Sequence, residues 1–301
     1  MTRLIKAEIY KLRKRSMTYI LLLILIGFIV LVLSIMQATA LNNITATTVS
    51  SSGTATTVIP AVAANVHFLK DAITGVMSIL GSIGMILAVV LVANGMGSEY
   101  SWNTIRPYLL CSESRLKMFT AKLIAAAVFI VAGMIIGLII AILLGSLFTA
   151  IRGFSWDMGS STASFTGHEL LIFVRSLYVM LPYILLAFLF TVLGRSTAAG
   201  IGFGIGASVL ETIITGLMLM AHGWLAKIPN YLLTPNIQKI NSLAQSSGGL
   251  TVNMGSNTIQ TPSSIHAFIV LAVYCVAFIA ISFTLFQKRD VTGLNRKQAI
   301  E

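Results

Sequence analysis

The sequence predicts an all-α membrane protein with six transmembrane helices, and three observations carry that prediction. Of its 301 residues, 56% are hydrophobic and only 10% are charged, against about 25% charged in soluble domains. The mean hydropathy is +0.92, too apolar for a chain that must cover its surface with polar groups. Six apolar runs are long enough for a helix to cross a hydrocarbon core of about 30 Å, which takes about 20 residues. None of them alternates with period two, so a barrel is not expected, and each backbone must satisfy its own hydrogen bonds as a helix.

In chain order the spans are expected at 17–36, 73–93, 121–148, 170–194, 197–221 and 265–286. The net charge of +11 is not read as a nucleic-acid footprint, because the basic residues gather at the ends of the apolar runs. Arg3, Lys6, Lys11, Arg13, Lys14 and Arg15 precede the first span, and Arg106, Arg115, Lys117 and Lys122 follow the second. Arg195 and the tail cations Lys288, Arg289, Arg296 and Lys297 fall on the same side, against Lys70, Arg152, Lys227 and Lys239 on the other. The positive-inside rule then places both termini in the cytoplasm. The first apolar run is longer than a signal-peptide core and is expected to remain as an anchor.

The segment 1–16 has Leu4, Ile5, Ile9 and Leu12 at helical spacing with Lys6, Lys11 and Arg13 around them. That pattern predicts an amphipathic helix on the inner leaflet, in contact with membrane lipids. The loop at 94–120 holds Glu99, Tyr100, Arg106 and Arg115 among Trp102, Ile105, Tyr108, Leu109 and Leu110. A turn between spans needs only a few residues, so this one is expected to carry a surface helix that meets another protein. The outer loop at 222–263 opens with an apolar stretch interrupted by Pro235. It predicts two short amphipathic helices broken at the proline and dipping into the outer interface.

Catalytic machinery is not expected. The chain has no GxxxxGK[ST], HExxH or GxSxG, which removes a P-loop and the commonest zinc-protease and serine-hydrolase signatures. Cys111 and Cys275, with scattered His67, His168, His222 and His266, are not at metal-ligand spacing. Gly133 and Gly137 in the third span, and Gly202 and Gly206 among the alternating glycines of the fifth, read as close helix packing. Two charges lie inside spans, Arg175 and Glu211. A buried charge costs about 2.5–3.5 kcal/mol on insertion scales unless it faces protein or water. Their similar depth allows them to pair, and Arg175 is near enough to the outer end of its span to snorkel; the alternative is a role in the translocation path or in substrate binding.

The run Glu99-Tyr100-Ser101-Trp102-Asn103-Thr104-Ile105-Arg106, then Ser114-Arg115 and Ala121-Lys122, resembles the cytoplasmic loop of ABC-2 type transporter permeases. Their pattern there is E-Y-x-x-G-T-I/L-R, S-R and A-K, and this chain departs from it at Asn103. Six spans, a basic amphipathic N-terminus and an amphipathic outer segment extend the resemblance over the chain. It implies a type V exporter fold with Lys6, Lys11 and Arg13 on an elbow helix. It also implies a coupling helix bearing Glu99, Tyr100, Arg106 and Arg115, and outer re-entrant helices. The implied partners are two copies of a separate ATPase, which binds ATP and Mg, and a second permease, identical or paralogous. Within the family, size and short loops look most like bacitracin- or lantibiotic-type peptide efflux permeases of the bacterial plasma membrane. The residues alone leave two alternatives, an ion-coupled secondary transporter with Glu211 as proton carrier and a structural membrane scaffold.

Overall fold

The computed structural model describes residues 2–49, 68–102, 115–152, 162–220, 228–243 and 263–288. Among these the chain is helical throughout, with no strands. A short helix α1 (Thr2–Lys14) leads directly into α2 (Ser16–Val49). Then follow α3 (Phe68–Ser101), α4 (Arg115–Arg152), α5 (Thr162–Gly194) and α6 (Thr197–Met220). A 3₁₀ turn over 228–231 introduces α7 (Leu233–Ser242), and α8 (Ser264–Lys288) closes the bundle.

Among the described residues six helices are long and apolar enough to cross a membrane, over Ser16–Thr39, Ala72–Ser101, Leu116–Ile151, Leu170–Gly194, Thr197–Met218 and Ser264–Gln287. Their outward faces carry Leu23, Leu143, Leu217 and Val276, all more than 60% exposed. On a water-soluble surface such contiguous apolar faces would drive aggregation; facing lipid tails they cost nothing. The chain is a multi-pass membrane protein.

Helix α5 is the centre, packed by α3, α6, α7 and α8, and it shows in the burial of its span, 67% against 22% or less for α2, α4, α6 and α8. Its buried side includes Val179, Met180, Tyr183, Ala187 and Phe188, while Phe119 of α4 meets Phe188 edge-on at 5.2 Å between ring centroids. The hairpin from α5 to α6 is tight. Arg195 takes a left-handed conformation (φ 49°), and Ser196 Oγ accepts from the Ala198 N–H at 3.2 Å as an N-cap for α6.

Glycines set how close α6 comes. A methyl group at Gly200 would run into Thr191, Ala93 and the Ala187 carbonyl, and one at Gly204 would sit 2.7 Å from the Ala187 Cβ and 2.8 Å from Val89. Gly97 of α3 lies equally close to Thr197. Of the four glycines expected to pack, Gly137 does, against Leu80 and Ile29. A methyl group at Gly133, Gly202 or Gly206 would meet nothing within 4 Å. Positions two apart on a helix lie on nearly opposite faces, so the packed pair in α6 is Gly200 and Gly204, and Gly202 with Gly206 faces away from the bundle.

Leucine at Gly200 or Gly204 is therefore expected to lower stability by about 1–3 kcal/mol each through overpacking. Leucine at Gly202 is expected to be near neutral. Thermal unfolding of the detergent-solubilised variants, followed by size-exclusion chromatography, separates the two faces.

Candidate functional site

Two polar constellations stand out, one at each end of the bundle. The first begins on α1, where Ile5, Glu8 and Leu12 follow the i, i+3, i+7 spacing of one face. Leu12 packs beside Gly95 of α3. Glu8, the one acid on an otherwise basic helix, points inward with it and is only 5% exposed.

Glu8 meets two lysines and, through them, a second acid. Lys122 Nζ of α4 lies 3.2 Å from Glu8 Oε2 and 2.6 Å from Glu99 Oε2 of α3. Lys11 Nζ lies 3.2 Å from Glu8 Oε1 and 3.3 Å from Glu99 Oε1. Glu99 and Lys122 are 3% and 7% exposed, so the cluster is sealed from solvent except at Lys11. Among the described contacts two negative and two positive charges face one another, and such pairing offsets the desolvation penalty of burying ions. Taken singly, Glu99 in the last turn of α3 is misplaced against the helix dipole, a penalty of about 0.3–1 kcal/mol. Two lysines beside it, each interacting more strongly than that at this burial, outweigh the dipole.

Arg15, at the junction of α1 and α2, extends the same joint. Its guanidinium donates to the Asn94 carbonyl at 3.1 Å and to Ser98 Oγ at 2.6 Å, and it lies 5.4 Å from the Trp102 ring centroid. A cation near the C-terminal turn of α3 is also where the dipole favours it. Three helices thus meet at one buried joint, with α1 lashed to both helices that flank residues 103–114.

Several expected site residues are placed by this arrangement. The loop expected at 94–120 is shorter, because α3 runs on to Ser101 and α4 starts at Arg115. Glu99 and Tyr100 are consequently helical and face the protein. Arg106 lies outside the described residues; Arg115 opens α4, and its side chain is outside them too. Lys6 and Arg13 are exposed on α1, while Lys11 is drawn into the joint. Glu8, Arg15 and Lys122 were not expected to act together. An acid within the apolar stripe of a basic helix is the signal that marks Glu8.

The second constellation surrounds α7. Glu211 and Arg175 do not pair with each other among the described residues. Glu211 Oε2 accepts from the Tyr183 hydroxyl at 2.7 Å, and its Oε1 accepts from the Thr234 backbone N–H at 3.0 Å. Thr234 Oγ1 is also 3.0 Å from the Tyr183 hydroxyl. Arg175 instead donates to the Leu243 carbonyl at 3.1 Å. The break in the polypeptide comes at Leu232, which is extended (φ −76°, ψ 157°), so Pro235 stands in the first turn of α7 rather than between two helices. The chain before it, 221–227, lies outside the described residues.

Asn236, fully buried, donates from Nδ2 to the Asn230 carbonyl at 2.8 Å and the Leu232 carbonyl at 2.6 Å. Tyr274 of α8 donates to the Tyr231 carbonyl at 3.2 Å. These bonds satisfy backbone acceptors of the turn that leads into α7. Among the described residues no three His, Cys, Asp or Glu side chains come together to hold a metal ion.

A family model described as Protein of unknown function (DUF2705) matches residues 63–292. The chain belongs to this family. The match takes in α3 through α8, including Glu99, Lys122 and the whole of the α7 constellation, but not α1 or α2. The chain is also similar to "Uncharacterized protein YhcI" of Bacillus subtilis (strain 168), at 24% identity over 216 residues. That similarity spans 69% of this chain and 64% of the relative's length.

The buried joint yields a prediction. Lys122→Met leaves two carboxylates with one half-exposed lysine, and breaking a buried pair in this way costs about 3–5 kcal/mol. Lys11→Met, at the solvent edge, is expected to cost far less, and adding Glu8→Gln to Lys122→Met is expected to recover part of the loss. Thermal midpoints of the three variants in detergent decide it. Equal effects at the two lysines would mean that burial does not set the strength of the joint.

Proposed function

We propose that this chain is the permease subunit of an ATP-binding cassette exporter of the ABC-2 type, working with a second permease and two copies of a separate ATPase. The reading rests on the resemblance of residues 99–122 to the cytoplasmic loop of that family and on the six membrane-crossing helices. The observation that carries it furthest is the Glu8–Lys11–Glu99–Lys122 joint. It ties α1 to the C-terminal end of α3 and the N-terminal end of α4, which are the two ends of the segment 103–114. In a permease, this segment is the coupling element that an ATPase pushes. With α1, α3 and α4 joined by buried charges, a push there moves three elements as one, as transmission of work from a partner requires.

On this reading α1 is the elbow helix, both termini are cytoplasmic, and α7 belongs to the re-entrant outer segment. Glu99 acts by holding the joint together rather than by touching the ATPase, and Arg106 and Arg115 remain the charges for that contact. The cargo is an amphipathic or hydrophobic molecule such as a peptide antibiotic, in keeping with six spans that carry few charges. ATP and Mg bind to the partner. ATP binding and hydrolysis there would shift the permease pair between states of different cargo affinity.

Mild-detergent capture of the tagged chain from its native membrane, with mass spectrometry of what accompanies it, tests the reading. The expected result is a stoichiometric protein bearing a GxxxxGK[ST] sequence; its absence in several detergents would remove the exporter. Arg106→Glu is expected to cut the captured ATPase roughly tenfold, the equivalent of about 1.4 kcal/mol, while leaving the chain inserted. In intact cells Cys111 is expected to resist a membrane-impermeant thiol reagent and to react once the membrane is opened. Labelling before opening would invert the topology.

A further inference from the structure

Helix α7 poses a problem of hydrogen bonding that its neighbours solve in a particular way. It has 10 residues, short of the roughly 12–15 at which an isolated helix becomes even marginal, so its position depends on what holds it. Its first turn lies inside the apolar layer. At 1.5 Å per residue, Glu211 is roughly 10 Å inside the end of its span and Tyr183 roughly 20 Å inside the same end of its own. Arg175 is roughly 8 Å inside. The start of the helix is therefore set beside residues that lie inside two membrane-crossing helices.

A helix start at that depth has four N–H groups without intrahelical partners and no water to satisfy them. Three of the four are accounted for. The Leu232 N–H bonds to the Pro229 carbonyl at 3.0 Å, the Thr234 N–H bonds to Glu211, and Pro235 has no N–H. At the other end, Arg175 takes up the Leu243 carbonyl, that of the C-cap residue. The carboxylate thus sits at the positive pole of the helix dipole and the guanidinium at the negative pole, the arrangement the dipole favours. The two charges come from different spans, Glu211 from α6 and Arg175 from α5. Between the poles, Ile240 packs with Val179 of α5 and with Ala267 and Leu271 of α8.

We propose that Glu211, braced by Tyr183, and Arg175 are the positioning residues of a two-ended latch that seats α7 by matching its dipole. The first end of α7 is held from α6 through Glu211 and from α5 through Tyr183, and the second end from α5 through Arg175. That the charges seat α7 does not rest on the permease reading.

The test needs neither ATPase nor cargo, so it stands if the permease reading fails. In membranes holding the full chain with Cys111→Ser and Cys275→Ala, a single reporter, Ile240→Cys, is labelled with a small polar maleimide. A second series places the reporter on the facing helix as Leu271→Cys. Glu211→Gln and Arg175→Gln are each expected to raise the labelling rate at least tenfold, and Glu211→Asp less than either. The reciprocal exchange Glu211→Arg with Arg175→Glu decides between the latch and a direct ion pair. Paired charges would be restored by the exchange, whereas a latch would place each charge against the like pole of α7 and label fastest of all. Labelling at the background rate in the exchanged chain overturns the proposal, as do single variants within twofold of background. Should the exchanged chain fail to insert, as judged by size-exclusion chromatography, the labelling rates of the single variants decide.

Discussion

The governing constraint is the want of water. Inside a hydrocarbon layer a polar group has only protein to turn to, so each helix end and each charge must find a partner within the chain. Long helices meet this almost by default, since all but their termini are internally bonded. A helix that begins within the layer does not, and α7 is such a helix. Its start is sealed by a carboxylate on one neighbour, a tyrosine on another, a proline that brings no donor and a buried asparagine that collects two carbonyls of the preceding turn. Each of these residues looks costly alone and is explained by the helix it serves.

The same constraint acts at the other end of the bundle with a different outcome. There four charges converge, and the chain gathers them into a neutral group instead of spreading them to the interface. The local dipole of α3 disfavours Glu99 where it stands; it is tolerated because Lys122 lies within 2.6 Å. Helix α1 supplies the remaining pair. It is thus more than a basic strip on a lipid surface, since its inward face completes a polar core that the spans leave open. Arg15 adds two further bonds to α3 and fixes the corner where α1 turns into α2.

Much of the architecture is legible in the amino-acid sequence. The fourth span ends at Gly194 by hydropathy and in the fold alike, because its apolar stretch ends in glycine and a charged turn, although the helix starts earlier, at Thr162. The second and third spans are longer than hydropathy indicates. Asn94, Ser98 and Glu99 look like the end of a membrane helix, yet α3 continues through them because α1 provides partners that a hydropathy scale cannot see. The fate of Arg175 and Glu211 was hidden for a related reason. Equal depth suggests a pair, and only the course of α7 reveals two helix poles that suit them better. With the glycines of α6, spacing was no guide at all. The 200/204 and 202/206 pairs have the same separation, and which one meets α5 depends on the rotation of the helix, a property of the assembled bundle.

The sealing of the α1 joint has a consequence for how the N-terminal helix is held. A basic amphipathic helix that clings to a membrane by headgroup attraction is loosened by salt, because exposed charges are screened beyond about 8–10 Å at ordinary ionic strength. The contact between Glu8, Glu99 and Lys122 is shielded from the electrolyte by the protein around it. Ionic strength would weaken any hold of the exposed Lys6, Arg13 and Lys14 on a charged surface, yet it leaves the inner attachment in force. Under high salt α1 would stay attached through its inner side, still moving with α3 and α4.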